Sequence, residues 1–151
     1  MPSPDPRITA FIRRHHVLTL ATAVENEPWC ANLFYAWLEH PDGQGSFVFT
    51  SDSRTRHATD AVRNERIAGS VVLESRIVGR VRGLQFQGVM RRLEEGDAEF
   101  ARAARKAYLK RFPYAAAMEL HLWTIEPTLL KYTDNRLGFG KKIDWQICNV
   151  N

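Results

Sequence analysis

Phe47-Val48-Phe49-Thr50-Ser51-Asp52-Ser53-Arg54-Thr55-Arg56-His57-Ala58 starts as an apolar run rich in aromatic and β-branched residues, the pattern of a buried strand. The run stops abruptly in hydroxyls, an acid and three basic side chains. Ala58 to Val62 then reads as a helix, with Asp52 or Ser53 as candidate N-cap. A strand that feeds a helix in this way delivers the hydroxyls of Thr50, Ser51 and Thr55 to one spot. It brings Arg54, Arg56 and His57 there too, beside the free N–H groups of the helix. A phosphate needs that combination of bare donors, a positive helix end and cationic forks. The competing reading is an ordinary capped helix with a solvated first turn. Positive charge in a first turn opposes the helix dipole, which weakens that reading.

Upstream of this stretch, Asp5-Pro6 has the form of an N-cap followed by proline at the first helical position. Ile8, Phe11, Ile12 and His15 recur at helical spacing. His16 to Glu25 alternates as a strand, Glu25-Asn26-Glu27-Pro28 is a turn, and Trp29 to His40 reads as one long aromatic strand. Pro41 to Gly45 has hairpin-loop chemistry. Downstream, Ile67 to Leu73 is a strand. Val81 to Leu93 alternates most clearly, with Leu84, Phe86, Gly88 and Met90 on one side and Gly83, Gln85 and Gln87 on the other. Gly96-Asp97 opens the longest helix, with Phe100, Ala104, Tyr108 and Phe112 as its stripe. His121 to Glu126 and Leu129 to Thr133 read as two strands around Pro127, before a Gly-rich loop and a short last strand at Ile143-Asp144-Trp145. Six or seven strands with hairpin-like connections predict a mainly β protein, an antiparallel barrel with peripheral helices, as one domain over residues 1–151.

The net charge of +4 is spread along the chain. No basic block has the form of a nucleic-acid arm, so the excess points to anionic-ligand chemistry rather than nucleic acid. No apolar run approaches the length of a membrane span, and Met1 to Pro6 has no signal core. A cytoplasmic protein with no membrane partner is expected. Cys30 and Cys148 have neither metal spacing nor a disulfide framework, and Cys30 reads as a reduced core thiol. His15, His16 and His121 read as structural, with no metal site. No nucleophilic triad is visible, so no catalytic residue is assigned and the chemistry falls to a bound cofactor.

Asn32 lies among large apolar residues and either meets a ligand edge or satisfies a neighbouring backbone group. Trp29 either stacks on a flat ligand or packs in a core or interface. The segment Thr133 to Lys142 combines turn chemistry, Gly138 and Gly140 around Phe139, and paired Lys141 and Lys142. It reads as a ligand or dimer-interface loop.

Several segments together carry a resemblance over nearly the full length. They are Trp29-Cys30-Ala31-Asn32 with Phe34-Tyr35, Thr55-Arg56-His57-Ala58, and Arg82-Gly83-Leu84-Gln85-Phe86-Gln87-Gly88. Arg111-Phe112-Pro113, Thr133-Asp134-Asn135 and Leu137 to Lys142 complete the set. The chain resembles the FMN-binding split barrels, the pyridoxamine 5′-phosphate oxidase-like proteins, in their YhbP-like branch. The resemblance implies an antiparallel split barrel, a homodimer with FMN sites at the subunit interface, and oxidoreductase chemistry on a small-molecule substrate. The family's phosphate residues fall on Thr50, Ser51, Arg54, Thr55, Arg56 and His57. With FMN as cofactor, Asn32 or Gln85 is expected at the flavin ring edge, Trp29 stacked on the ring or packed in a core or interface, and Lys141 near the reduced ring. Where the oxidases have an Arg and a Lys on the second strand, Trp29 to Phe34 has no base. Their C-terminal Trp…Arg-x-His-x-Arg arrangement is absent. Oxidation of pyridoxamine phosphate itself is therefore not expected. Split barrels also host haem and deazaflavin, so a non-catalytic binder of FMN, haem or a deazaflavin is the alternative.

Overall fold

The computed structural model describes residues 2–93 and 97–147. Gly96, read as part of a helix start, and Cys148 lie outside them. Helix α1 (Pro6–Arg14) is capped as its sequence dictates: Asp5 accepts from the Arg7 N–H and Pro6 fills the first turn. Its buried face of Ile8, Phe11 and Ile12 plugs one mouth of the barrel. Strands β1 (Val17–Val24) and β2 (Glu27–Phe34) form a hairpin. Its two-residue turn is Glu25-Asn26, both at positive φ, as tight hairpins require. The turn is thus shorter than the four residues expected. Pro28 lies within β2, where an edge strand tolerates the missing N–H.

The expected long strand from Trp29 to His40 is broken at Tyr35. The Tyr35 N–H donates to the His16 carbonyl, and its hydroxyl donates to the Ile12 carbonyl at 2.6 Å. Those two bonds bend the chain into β3 (Ala36–Glu39), which pairs with β4 (Gly45–Thr50). Helix α2 (Arg56–Arg63), β5 (Arg66–Leu73), β6 (Arg82–Arg92) and helix α3 (Ala98–Arg111) follow. The two strands expected around Pro127 are one, β7 (Leu122–Asp134). A bulge absorbs the proline: Gly88 faces Pro127, Gln87 faces Leu129, and Thr128 is the extra residue. Gly88 is required there, because a Cβ would lie 2.6 Å from the Glu126 carbonyl oxygen. Strand β8 (Lys142–Gln146) adds to the far half of β7.

All pairings are antiparallel, in the order β2-β1-β5-β6-β7-β4-β3 with β8 beside β7. This is a split barrel, with eight strands rather than six or seven. Phe47 is the hub of its core. Its ring lies 4.7 Å from Phe86, 5.2 Å from Tyr35 and 5.1 Å from Trp37. On the other face of β4, Val48 packs under α3 with Ala104, Tyr108 and Phe112. Burial on both faces explains why β4 reads as a continuous apolar run rather than an alternating one. Arg111 fastens α3 to the α1–β1 junction by donating to the His15 carbonyl, with its guanidinium 5.3 Å from the Tyr35 ring. The Arg111-Phe112-Pro113 motif is therefore structural in this protein.

Strand β2 has one neighbour only, and most of its residues are exposed on both faces. Cys30 is accordingly exposed rather than a core thiol. Trp123 and Trp145 are buried within the single chain. Exposed large apolar residues include the cross-strand pair Val17 and Phe34, with Val72, Trp29 and Tyr114. Among the described residues no helix is long and apolar enough to cross a membrane.

Candidate functional site

Strand β4 ends at Thr50, whose hydroxyl oxygen accepts from the His121 N–H at 3.0 Å. The buried Trp123 indole donates to the Ser51 carbonyl at 3.0 Å. These bonds from the start of β7 fix the path of the turn. The turn then brings together three side chains. Ser51 Oγ lies 2.6 Å from His57 Nε2, Thr55 Oγ1 lies 3.2 Å from the same nitrogen, and the two hydroxyl oxygens are 3.3 Å apart.

Donor accounting sets the tautomer. Thr55 gives its single hydroxyl proton to the Asp52 carbonyl at 2.9 Å. Its contact with His57 therefore requires a proton on Nε2. Ser51 then accepts from that N–H, and its own hydroxyl proton faces Thr55 Oγ1 across a long 3.3 Å contact that a stronger acceptor can replace. The N-cap of α2 is Thr55, not Asp52 or Ser53. Its side chain makes no capping bond, so the opening N–H groups of the helix have no side-chain acceptor. Asp52 is used earlier, accepting from the Arg54 N–H at 2.8 Å.

The basic residues do not converge as the sequence suggests. Arg54 is highly exposed and pairs with both oxygens of Asp52, at 3.0 and 2.7 Å. Hydrogen bonds from Arg54 hold the Asp52 carboxyl well below the usual carboxylate range. Arg56 lies over the Trp29 ring at 4.4 Å and approaches Asp60 at 3.9 Å. Asp60 also accepts from Thr22 at 2.8 Å. The turn thus offers hydroxyl, imidazole and amide donors, with one half-offset guanidinium at its flank.

Burial pushes the His57 imidazole below its ordinary range, opposed by the nearby Asp60 charge. The ring is neutral at pH 7, while an unfolded chain protonates near pH 6.5. A depressed histidine keeps its full stabilisation above that value and loses it as pH falls toward the folded pKa. His15 is shifted the same way, by burial and then by the charges of Arg82 and Arg14. The midpoint of urea unfolding should therefore drop between pH 7 and pH 5. His57→Gln should flatten that dependence, and an unchanged slope would show that the ring is not held neutral.

Pairing register assembles a second feature that no local stretch displays. Asn32, Thr19, Ser70, Gln85, Lys131 and Asp144 lie directly opposite one another on β2, β1, β5, β6, β7 and β8. Thr19 alternates with the buried Leu18 and Leu20, so this polar row runs across the outer face of the sheet. Thr19 donates to the Asn32 side-chain oxygen at 2.9 Å. Ala21 and Ala68 next to the row, with the small Ser70 within it, leave a shallow depression of about 360 Å³ between Thr19, Gln85 and Lys131. Thr19, Ser70 and Lys131 were not singled out by sequence, because the alternation within a strand gives its facing and not its register. Lys141 is elsewhere, in the exposed turn between β7 and β8. That turn follows the Thr133–Lys142 pair, whereas the phosphate-type turn adjoins the Thr50–Leu122 pair at the other end of β7. One protomer does not bring Lys141 to the Ser51 turn.

Residues 4–133 match the family model described as pyridoxamine 5′-phosphate oxidase. The chain belongs to that family. It is 42% identical over 139 residues to the UPF0306 protein YhbP of Salmonella schwarzengrund, covering 91% of this chain and 90% of that protein. Among solved structures it is similar to a haem-binding protein from Mycobacterium smegmatis. That match has a TM-score of 0.68 and 20% identity, and covers 97% of this chain and 60% of the other. It is similar also to a FAD-binding protein from Mesorhizobium loti, at a TM-score of 0.64 and 14% identity, covering 82% and 87%. At these identities the structural matches establish the split-barrel fold of the family member.

Proposed function

We propose that the protein is an FMN-binding flavoprotein, a homodimer with its cofactor sites at the subunit interface, and an oxidoreductase on a small-molecule substrate other than pyridoxamine phosphate. The observation that carries this reading is the Ser51–Thr55–His57 cluster at the uncapped start of α2. Its donor set fits a phosphate monoester: the Ser51 hydroxyl, held only by a long contact to Thr55, the helix N–H groups, and an imidazole that gains a proton next to an anion. Arg56 adds positive charge from its seat on Trp29. The shallow, small-residue depression on the sheet fits a flat ring, with Asn32, Thr19 and Gln85 at its edge. When bound, FMN supplies the hydride or electron transfer. The residues of the chain bind, orient and shield it.

The interface part rests on the bare edge of β2 and on the exposed Val17–Phe34 pair beside the depression. A second copy laid there covers both. Lys141 serves such a site only across that interface. The lack of a basic residue on β2 supports a substrate different from that of the oxidases.

The test is the absorption spectrum of purified protein with added FMN, followed by anaerobic NADH or NADPH and by light scattering. A perturbed flavin spectrum, reduction of the bound flavin and a dimer mass are expected. No change in the flavin bands would overturn FMN binding, and a Soret band with haem alone would favour the haem reading. Bound flavin that accepts no electrons would make the protein a non-catalytic binder. A monomer mass with FMN bound would remove the interface.

A further inference from the structure

Beyond the far end of β7 from the Ser51 turn, a cleft of about 230 Å³ opens between α1, the start of β6 and the end of β7. Arg7, Arg14, Arg82 and Arg136 line it, with Phe11 and Tyr132 as aromatic walls. Two of these charges are already matched. Arg136 donates to both oxygens of Asp134, at 3.1 and 2.8 Å, and Arg7 to both oxygens of Asp5, at 3.0 and 2.9 Å. The Arg136 bonds hold the buried Asp134 carboxyl down to about 2, so it stays an anion committed to its own partner. Arg14 and Arg82 have no carboxylate partner among the described residues.

The Nε of Arg82 is, moreover, buried without any hydrogen-bond acceptor. Close by, the His15 ring packs 4.3 Å from Phe11, and its Nε2 is a second buried nitrogen without a partner. Buried donors are almost always satisfied, and a buried guanidinium N–H without an acceptor is the costlier kind of exception, even though Arg82 as a whole is half-exposed beside Tyr132. Two arginines without a carboxylate partner among the described residues, an orphaned donor and an aromatic wall give one cleft the chemistry to take an anion. The same fork that pairs with a carboxylate accepts a phosphate.

We propose that this arginine cleft is a second ligand site, which takes the carboxylate or phosphate head of a small ligand on Arg82 and Arg14 and its flat apolar body against Phe11 and Tyr132. It is separate from the phosphate turn and does not depend on FMN being bound there. A group so placed also meets the surface of α1, the plug of the barrel mouth, so occupancy stiffens the α1–β6 junction.

The experiment follows the arginine Nε–H resonances of the full-length protein by NMR during titration with benzoate, phenyl phosphate and inorganic phosphate. A saturable shift of the Arg82 Nε–H signal is expected with benzoate or phenyl phosphate, and the stronger of the two identifies the head group. Inorganic phosphate should bind more weakly, since it has no body for the aromatic wall. Arg82→Gln and, as a more exposed variant, Arg14→Gln should each raise the dissociation constant roughly tenfold or more. Ser51→Ala should leave it unchanged. The proposal is overturned if the Arg82 signal is unmoved by all three probes. It is overturned also if binding is unaffected by Arg14→Gln, or if binding is abolished by Ser51→Ala.

Discussion

Ser51→Ala combined with His57→Ala should weaken FMN binding by about 100- to 1000-fold and riboflavin binding by less than about threefold. The two side chains form one donor pair, with His57 Nε2 held 2.6 Å from Ser51 Oγ. Hydrogen bonds to a charged group are each worth about 1.5–3 kcal/mol, and 1.4 kcal/mol is tenfold in affinity. Riboflavin has no phosphate and should not register the loss. Arg56→Ala should cost less, about tenfold, because that guanidinium is already shared with Asp60 and Trp29. Fluorescence quenching of the two flavins measures all of these constants. Equal losses for FMN and riboflavin would mean that the pair supports the fold rather than a phosphate.

Phe47→Ala should destabilise the protein by about 3–5 kcal/mol, the range for a large aromatic truncated in a core. Phe47 is fully buried, and its ring meets Trp37 of β3, Phe86 of β6 and Tyr35 at the break between β2 and β3. Collapse around the hole is limited because β4 is clamped on its other face by α3. Urea unfolding reads the change directly. A loss below about 1 kcal/mol would show that the ring is not a hub of the core.

Local chemistry made much of this fold legible. The Asp5-Pro6 cap, the apolar face of α1, the alternation of β6 and the strand-to-helix passage at Thr50 all depend on neighbours in sequence. The errors share a physical cause in contacts between distant residues. Nothing local says that the Tyr35 hydroxyl is drawn to Ile12 and breaks a strand, or that Gly88 opposite Pro127 lets one strand run through a proline. Cys30 looked like a core thiol because its neighbours are apolar, yet β2 lacks a second neighbour.

The candidate site divides in the same way. Ser51, Thr55 and His57 come together because they are close in sequence on a turn that must reverse. The row from Asn32 to Asp144 exists only through register, which no single stretch contains. The arginines do not converge on the turn, because a short Asx turn hands Arg54 to Asp52 and Trp29 arrives from another strand to hold Arg56.

On the proposed function, the turn after β4 recognises a phosphate joined to a flat ring. Isothermal titration of the unmodified protein with FMN and with riboflavin, side by side at pH 7, tests it most directly. FMN is expected to bind roughly 100-fold more tightly than riboflavin or better, with proton uptake as His57 becomes charged. Equal affinities for the two flavins, with no proton taken up, would contradict it.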